Sequence, residues 1–454
     1  MTENMNLSDA VDSILPEARA ALEELVRIPS VSSDAFDQEH LSASAAKVAE
    51  ILARAGMEDI DVITLDTPHG TGRPAVLGHL PGPEGAPTVL LYAHHDVQPP
   101  GDSEGWETEP FEPVEKNGRL YGRGTADDKA GILVHAGAIK ALAAAGGVPV
   151  SVTCFIEGEE EIGSPTFADF LQAYRERLAA DVIIVADSAN WRVGTPSLTT
   201  SLRGVIGLTV QVDVLDHALH SGGYGGPILD AVTAASRLIA TLHDEEGTVA
   251  VPGLVRDTTS QADYPEEDLR ADAGILDGVE LAGTGSIASR LWTQPAISVI
   301  GMDVTTVDNS SNTLIPSCRF RLSMRIAPGE DPARAQQALI DHLEANAPLG
   351  ARITTSRGEQ GQTFKARESE VMDEAREALR EAWGTEPVDI GMGGSIPFIS
   401  DLSALFPDAE VLVTGIEDPD TRAHSENESL HLGDWRNAIL AEALLLTRLG
   451  KRGA

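Results

Sequence analysis

The feature that most constrains this chain is a set of short segments that are apolar on both faces. Residues 89–93 read Val, Leu, Leu, Tyr, Ala without interruption, and residues 150–156 and 181–186 come close to the same pattern. A half-wet strand alternates apolar and polar residues. A strand covered on both sides does not, and that cover usually comes from helices packed on a parallel sheet. Helical spacing occurs at residues 20–28, 41–55, 128–145 and around 167–178, the third stopping at Gly146-Gly147. Shorter apolar runs lie at 62–65 and 74–80. The first half is therefore expected to be an α/β domain with a largely parallel, buried sheet.

Past Gly204 the period changes. Residues 205–214 alternate as a strand, 228–243 read as a helix, 296–301 and 318–326 as strands, 333–345 as a helix and 351–355 as a strand. The order β-α-β-β-α-β belongs to a small two-layer sandwich. A helix at 368–383 resumes the first pattern, so a domain of residues 204–362 is expected to interrupt one made of 1–203 and 363–454. A chain of 454 residues exceeds what a single core supports, which also argues for two domains.

Charge narrows the function. Against 33 Lys and Arg stand 71 Asp and Glu, a formal charge of -38. Such a polyanion repels nucleic acid phosphates and anionic lipid, so neither partner is expected. The first ten residues hold neither a basic stretch nor an apolar h-region, and no run of about 18 apolar residues occurs. Cys154 and Cys318 each sit inside an apolar strand-like run, the pattern of buried free thiols in a reducing cytoplasm. Cytoplasmic localisation is the expectation.

Acidic and histidine residues cluster where strands and turns end. His94-His95-Asp96 follows the 89–93 run, Asp127-Asp128-Lys129 opens a helix after Gly122-Arg123-Gly124, and Glu159-Glu160-Glu161 follows the 150–156 run. Asp187 ends the 181–186 run, and His424 lies in a polar turn. Singly, each has an ordinary explanation: a polar strand end, charges at a helix N-terminus, a solvated loop. Together they would converge beyond the carboxyl ends of one sheet, where open α/β sheets bind ligands. Carboxylates and imidazoles suit Zn²⁺ or Mn²⁺ without any thiolate. Two ions about 3.5–4 Å apart share a bridging carboxylate and activate a water, and a further carboxylate then moves its proton. Structural Ca²⁺ is less suited to the histidines. No glycine-rich phosphate cradle follows the first strand, which argues against a nucleotide enzyme.

Longer motifs carry a family resemblance. The stretch 92–99, YAHHDVQP, resembles the first metal motif of the carnosinase-like metallopeptidases of family 20, which also hold aminoacylases, glutamate-releasing carboxypeptidases and succinyl-diaminopimelate desuccinylases. Gly105-Trp106, PFEP at 110–113, LYGRGTADDK at 120–129 and EGEEEIGS at 157–164 match further motifs in order and spacing. The resemblance runs over nearly the whole chain. It implies a dinuclear-metal aminopeptidase-like catalytic domain with a mostly parallel sheet, plus an inserted ferredoxin-like α+β lid and dimerisation domain. Two divalent metal ions per subunit are implied, Asp127 bridging them, one taking His94 and Asp187 and the other Glu161 and His424. Glu160 would be general base and then general acid, and Asp96 would orient the His94 ring. A cis peptide between Asp127 and Asp128 is a family habit.

In the inserted domain, His220 resembles the histidine that reaches a neighbouring subunit's site and steadies the oxyanion, so a homodimer is implied. Arg325 resembles the arginine that grips a substrate carboxylate, with Arg321 the alternative. Thr313 and Ser395 match substrate-contact positions, although both could be plain turn residues. Two departures stand out: His95 occupies the variable position of the first motif and is expected to line the site, and Ala130 precedes Gly131 where the family has glycine directly after the lysine. The VQP and 106–113 stretches resemble the dipeptidase branch, which implies hydrolysis of small peptides with a free carboxylate. An N-acyl-amino-acid deacylase, desuccinylase or carboxypeptidase would use the same machinery, and an inactive peptide-binding relative is the remaining alternative.

Overall fold

A computed structural model of the chain describes residues 5–260, 262–394 and 397–452. It divides into two compact units, one of Met1–Thr200, Ala366–Ile390 and Pro397–Ala454, the other of Ser201–Lys365 with Gly391–Ile396. Among the described residues no helix is long and apolar enough to cross a membrane. Cys154 and Cys318 are both free and buried.

In the first unit the sheet order is Glu58–Ile63, Ala75–Leu80, Ser151–Glu157, Thr88–His94, Val182–Ala189, Glu410–Glu417, Ser197–Leu202. The four strands from Ser151–Glu157 to Glu410–Glu417 pair parallel. Their outer neighbours pair antiparallel, so the sheet is mixed with a parallel centre. The apolar runs follow from double cover. Val89, Leu91 and Ala93 join Val152, Cys154, Ile156, Val182 and Ile184 in one core with helices Leu7–Val26, Lys129–Ala145, Glu370–Trp383 and Leu432–Arg452. The intervening residues meet an aromatic cluster, in which Tyr92 stacks on Phe398 at 4.3 Å and Phe155 on Phe170 at 4.8 Å. Such pairs contribute about 0.5–1.5 kcal/mol each beyond area burial.

The first helix starts thirteen residues earlier than its spacing predicts, running from Leu7 through Pro16. Asn6 caps it by accepting from the Asp9 N–H, and Ala10, Val11 and Ile14 are buried, so packing carries it past a residue that usually breaks helices.

The second unit holds a four-stranded antiparallel sheet in the order Ala296–Asp303, Ser317–Ile326, Gly204–Asp213, Arg352–Gly361. Helices Ala231–Ala240 and Pro332–Ala345 cover the face bearing Ile206, Leu208, Val210, Phe320 and Leu322. Asp230 and Asp331 cap these helices with their side chains.

Candidate metal centre

The Thr88–His94, Ser151–Glu157 and Val182–Ala189 strands run side by side and parallel, so the residues at and just beyond their carboxyl ends meet at one edge. The first of them extends one residue beyond the apolar run and takes His94 into the sheet, with its side chain fully buried. The His94 main-chain N–H donates to Asp128 Oδ2 at 3.1 Å. Its Nδ1 lies 3.1 Å from the Asp96 carbonyl and 3.4 Å from Asp96 Oδ1. With Nδ1 so occupied, Nε2 is directed at a group of carboxylates: Asp127 Oδ1 at 3.1 Å, Asp187 Oδ2 at 3.9 Å and Glu160 Oε2 at 4.0 Å.

Asp127 has a second imidazole on its other side. His424 Nε2 is 3.0 Å from Asp127 Oδ2 and 3.3 Å from Glu161 Oε2. One carboxylate therefore faces two histidines, an oxygen to each. The Asp127–Asp128 peptide is cis.

The three consecutive glutamates divide their tasks. Glu159 is turned into the fold, where Oε1 accepts from the Thr166 N–H and hydroxyl and Oε2 from the Arg73 N–H. Asp96 ties down the next two by accepting the main-chain N–H groups of Glu160 and Glu161 at 3.2 and 3.0 Å. The Glu161 carboxylate is held by Gln98, whose main-chain N–H donates to Oε1 at 3.0 Å and whose amide donates to Oε2 at 2.8 Å.

Electrostatically the site is short of cations. Among the described residues no Lys or Arg pairs with Asp96, Asp127, Asp128, Glu160, Glu161 or Asp187. Burial, with neighbouring carboxylates, raises Glu160 to about 9, Glu161 to about 7 and Asp187 to about 6. Hydrogen bonds to Asp127 and Glu161 raise His424 to about 11. Burial opposes a charged His94, yet contacts with Asp127 and Asp96 outweigh it and raise that imidazole too. Asp127 moves the other way: burial is overcome by the two histidines, and it is held low.

The donor set fits divalent cations. His94 Nε2 is buried and makes no hydrogen bond, although it points among carboxylates. Donor atoms of His94, Asp127 and Glu161 lie within 4.8 Å of one another, as do those of His94, Asp128 and Asp187. Asp128 belongs to one of the expected clusters but not to the ligands that the resemblance implies. Its Oδ2 already accepts the His94 N–H, which makes it a brace for the strand end. Gly131 leaves room for it: a Cβ there would lie 2.3 Å from Asp128 Oδ1 and 2.5 Å from the Ala186 carbonyl. Gly131 thus permits a close helix–strand approach here.

His95 does not line the site. Its Nε2 bonds the Pro74 carbonyl at 2.7 Å, and burial pushes the ring down to about 4, which keeps it neutral. His94 Nε2 faces the carboxylates while His95 Nε2 faces the Pro74 carbonyl, so the two rings have different surroundings.

Sequence reasoning also passed over Glu428, Arg123 and Gln98. Glu428 is fully buried and forms an ion pair with Arg123 at 2.7 Å. Nothing in a polar turn separates such a glutamate from a solvated one. The second unit carries His220 and Thr313, exposed and paired across a two-residue ladder. Arg325 lies half-buried on the Ser317–Ile326 strand opposite Val205 and Ala296, while Arg321 is exposed and 3.9 Å from Glu359. Ser395 lies outside the described residues.

The chain has clear relatives. The family model described as Peptidase family M20/M25/M40 matches residues 90–448. The cysteinylglycine-S-conjugate dipeptidase of Corynebacterium striatum is 35% identical over 374 residues, covering 81% of this chain and 82% of that protein. The Cys-Gly metallodipeptidase DUG1 of Saccharomyces cerevisiae is 28% identical over 474 residues, covering 96% of each. Among solved structures, the yeast di-peptidase Dug1p superimposes with a TM-score of 0.75 and human carnosine dipeptidase 1 with 0.74, each at 24% identity and 98% coverage of both chains.

Proposed function

The chain belongs to peptidase family M20/M25/M40, and from that premise we propose that it is a dinuclear metallodipeptidase cleaving the amide bond of small peptides with a free carboxylate. The observation that carries this reading is Asp127, one oxygen 3.1 Å from His94 Nε2 and the other 3.0 Å from His424 Nε2, with no Lys or Arg among the described residues neutralising it. In this reading Asp127 bridges, His94 and Asp187 hold one ion, and Glu161 and His424 hold the other. The dipeptidase assignment is supported by relatives that bear that name, such as the Corynebacterium and yeast proteins.

Two divalent cations, Zn²⁺ or Mn²⁺, would polarise the scissile carbonyl and lower the pKa of a water toward about 7. The chain supplies the rest. Glu160, 4.0 Å from His94 Nε2, takes the proton of the attacking water and returns it to the leaving amine. Asp96 fixes the Glu160 main chain and the His94 ring together, so base and ligand keep one geometry. Roles for His220 as an oxyanion donor in a homodimer, and for Arg325, Thr313 and Ser395 in gripping substrate, rest on family resemblance. The buried thiols suit a reducing cytoplasm.

The test is hydrolysis of a mixed panel of dipeptides and N-acylated amino acids by metal-reconstituted protein, with Glu160→Gln as control. Free dipeptides are expected to be cut, and the variant to lose about 10²–10⁴-fold in kcat while retaining its metal. Preference for acylated substrates would move the enzyme to the deacylases, and no cleavage by protein holding two ions would end the peptidase reading.

A further inference from the structure

We infer that the buried Arg123–Glu428 ion pair positions the metal site formed by Glu161 and His424, leaving that of His94 and Asp187 largely to the sheet; the inference rests on the two-metal reading above. Glu428 is fully buried, and both its oxygens accept twice. Oε2 takes Arg123 Nη1 at 2.7 Å and the Gly124 N–H at 3.0 Å, while Oε1 takes the N–H groups of Ala126 at 3.0 Å and Asp127 at 3.2 Å. The Gly122 N–H donates to the Glu428 carbonyl at 3.0 Å. The loop ending in Asp127 is thus wrapped around a single carboxylate.

Arg123 extends that hold. Its Nη2 donates to the Pro99 carbonyl at 3.3 Å and the Ser425 carbonyl at 3.2 Å. Pro99 follows Gln98, which grips Glu161 from both main chain and side chain. Ser425 follows His424. The guanidinium therefore reaches, one residue away, the support of each ligand of the same site, while its partner carboxylate reaches the bridging aspartate. The planar fork lies 5.6 Å from the Trp106 ring, whose Nε1 donates to Pro100, so its direction is set as well. His94 and Asp187 sit within strands of the central sheet and have no hydrogen bond to this pair.

Burying two charges is a poor route to stability alone, since a well-packed apolar pair often does as well. What an apolar pair cannot supply is direction: four donors gathered on one carboxylate and two loop carbonyls gathered on one guanidinium.

The experiment is calorimetric titration of metal-free wild-type protein, Glu428→Gln and Arg123→Lys with Mn²⁺, with metal per chain counted after dialysis and folding checked by circular dichroism. Wild type is expected to take two ions. Arg123→Lys is expected to hold one within about threefold of wild-type affinity and to bind the other about 10–100-fold more weakly, the range for partners that orient a ligand. Glu428→Gln, which also loosens the bridging Asp127, is expected to weaken both, the ion at Glu161 and His424 more. Equal weakening of both ions, or of neither, overturns the inference. Fewer than two ions on wild type overturns the two-metal reading instead. Arg123→Lys keeps a charge against Glu428 but cannot span both carbonyls, so it carries the test if Glu428→Gln fails to fold.

Discussion

His94 and His424 approach Asp127 from opposite sides and are held there by different means. His94 ends a central strand, is fully buried, and has its ring and main chain braced by Asp96 and Asp128. The His424 side chain is 60% exposed and stands in a turn where Arg422, His424 and Asn427 all have positive φ, at 57°, 63° and 64°. Non-glycine residues enter that region at a cost, so neighbouring contacts must maintain the turn. One half of the centre is a product of sheet formation. The other is assembled on loops and depends on whatever clamps them. The sheet-borne histidine should therefore matter to the fold even without metal, and the loop-borne one chiefly to binding.

The sharpest way to break that comparison is truncation of each histidine in metal-free protein. His94→Ala leaves Asp187 and Glu160 desolvated beside a cavity, with His424 still facing Asp127 from the other side, and removing one partner of a buried charge cluster costs about 3–5 kcal/mol. His424→Ala removes a side chain largely in water and leaves Asp127 still facing His94, so a smaller loss is expected. Urea denaturation of the two apo variants should show a large loss for the first and a small one for the second. Similar losses would mean that the turn is as integral to the fold as the strand.

A finer test concerns Asp96, which joins the His94 ring to the main chain of Glu160 and Glu161. Asp96→Asn keeps one acceptor oxygen and loses the charge. Metal affinity is expected to fall about 10–100-fold, mostly for the ion at His94, with the fold intact. Competition against a chelating dye with Zn²⁺ would measure it; an unchanged affinity would reduce Asp96 to a loop brace.

The same division explains what was legible in the sequence. Residues 89–93 were recognisable because apolar cover on both faces leaves a continuous run, and the end of a run marks where a ligand can sit. His94, the glutamates after the next run, and Asp187 follow from that logic, and the structure brings them within a few ångströms of one another. The alternating strands of the second unit were equally readable, because one face is wet. The Leu432–Arg452 helix went unassigned, as did the Glu410–Glu417 strand, whose longest apolar run, Val411 to Val413, is shorter than the other central strands offer. Turn residues were opaque for a different reason. Arg123, Gln98 and Glu428 act by hydrogen bonds to main-chain groups distant in sequence, and no periodicity encodes those. Local pattern likewise gave no sign that His95 points away from His94's carboxylates toward Pro74.

The dependence of metal binding on pH concerns both halves at once. His424 is raised to about 11 by hydrogen bonds to Asp127 and Glu161, and His94 is raised by Asp127 and Asp96 against the opposing effect of burial. In the metal-free protein both imidazoles therefore hold their protons to higher pH than a free histidine does, and an imidazole must give up its proton to ligate. Glu161 at about 7 and Asp187 at about 6 add partial protonation of the same sign. Metal binding should release protons, and affinity should rise with pH by about tenfold per unit for each proton displaced. The rise should continue above pH 8, beyond the range where an ordinary histidine near 6.5 is already neutral. Calorimetry of Mn²⁺ binding in buffers of different ionisation enthalpy counts the protons directly. At pH 8, release of one or more per ion would fit imidazolium protons held between carboxylates. Release near zero would mean that the exposed turn lets His424 titrate as a free histidine, and that the loop half of the centre forms only once the metal arrives.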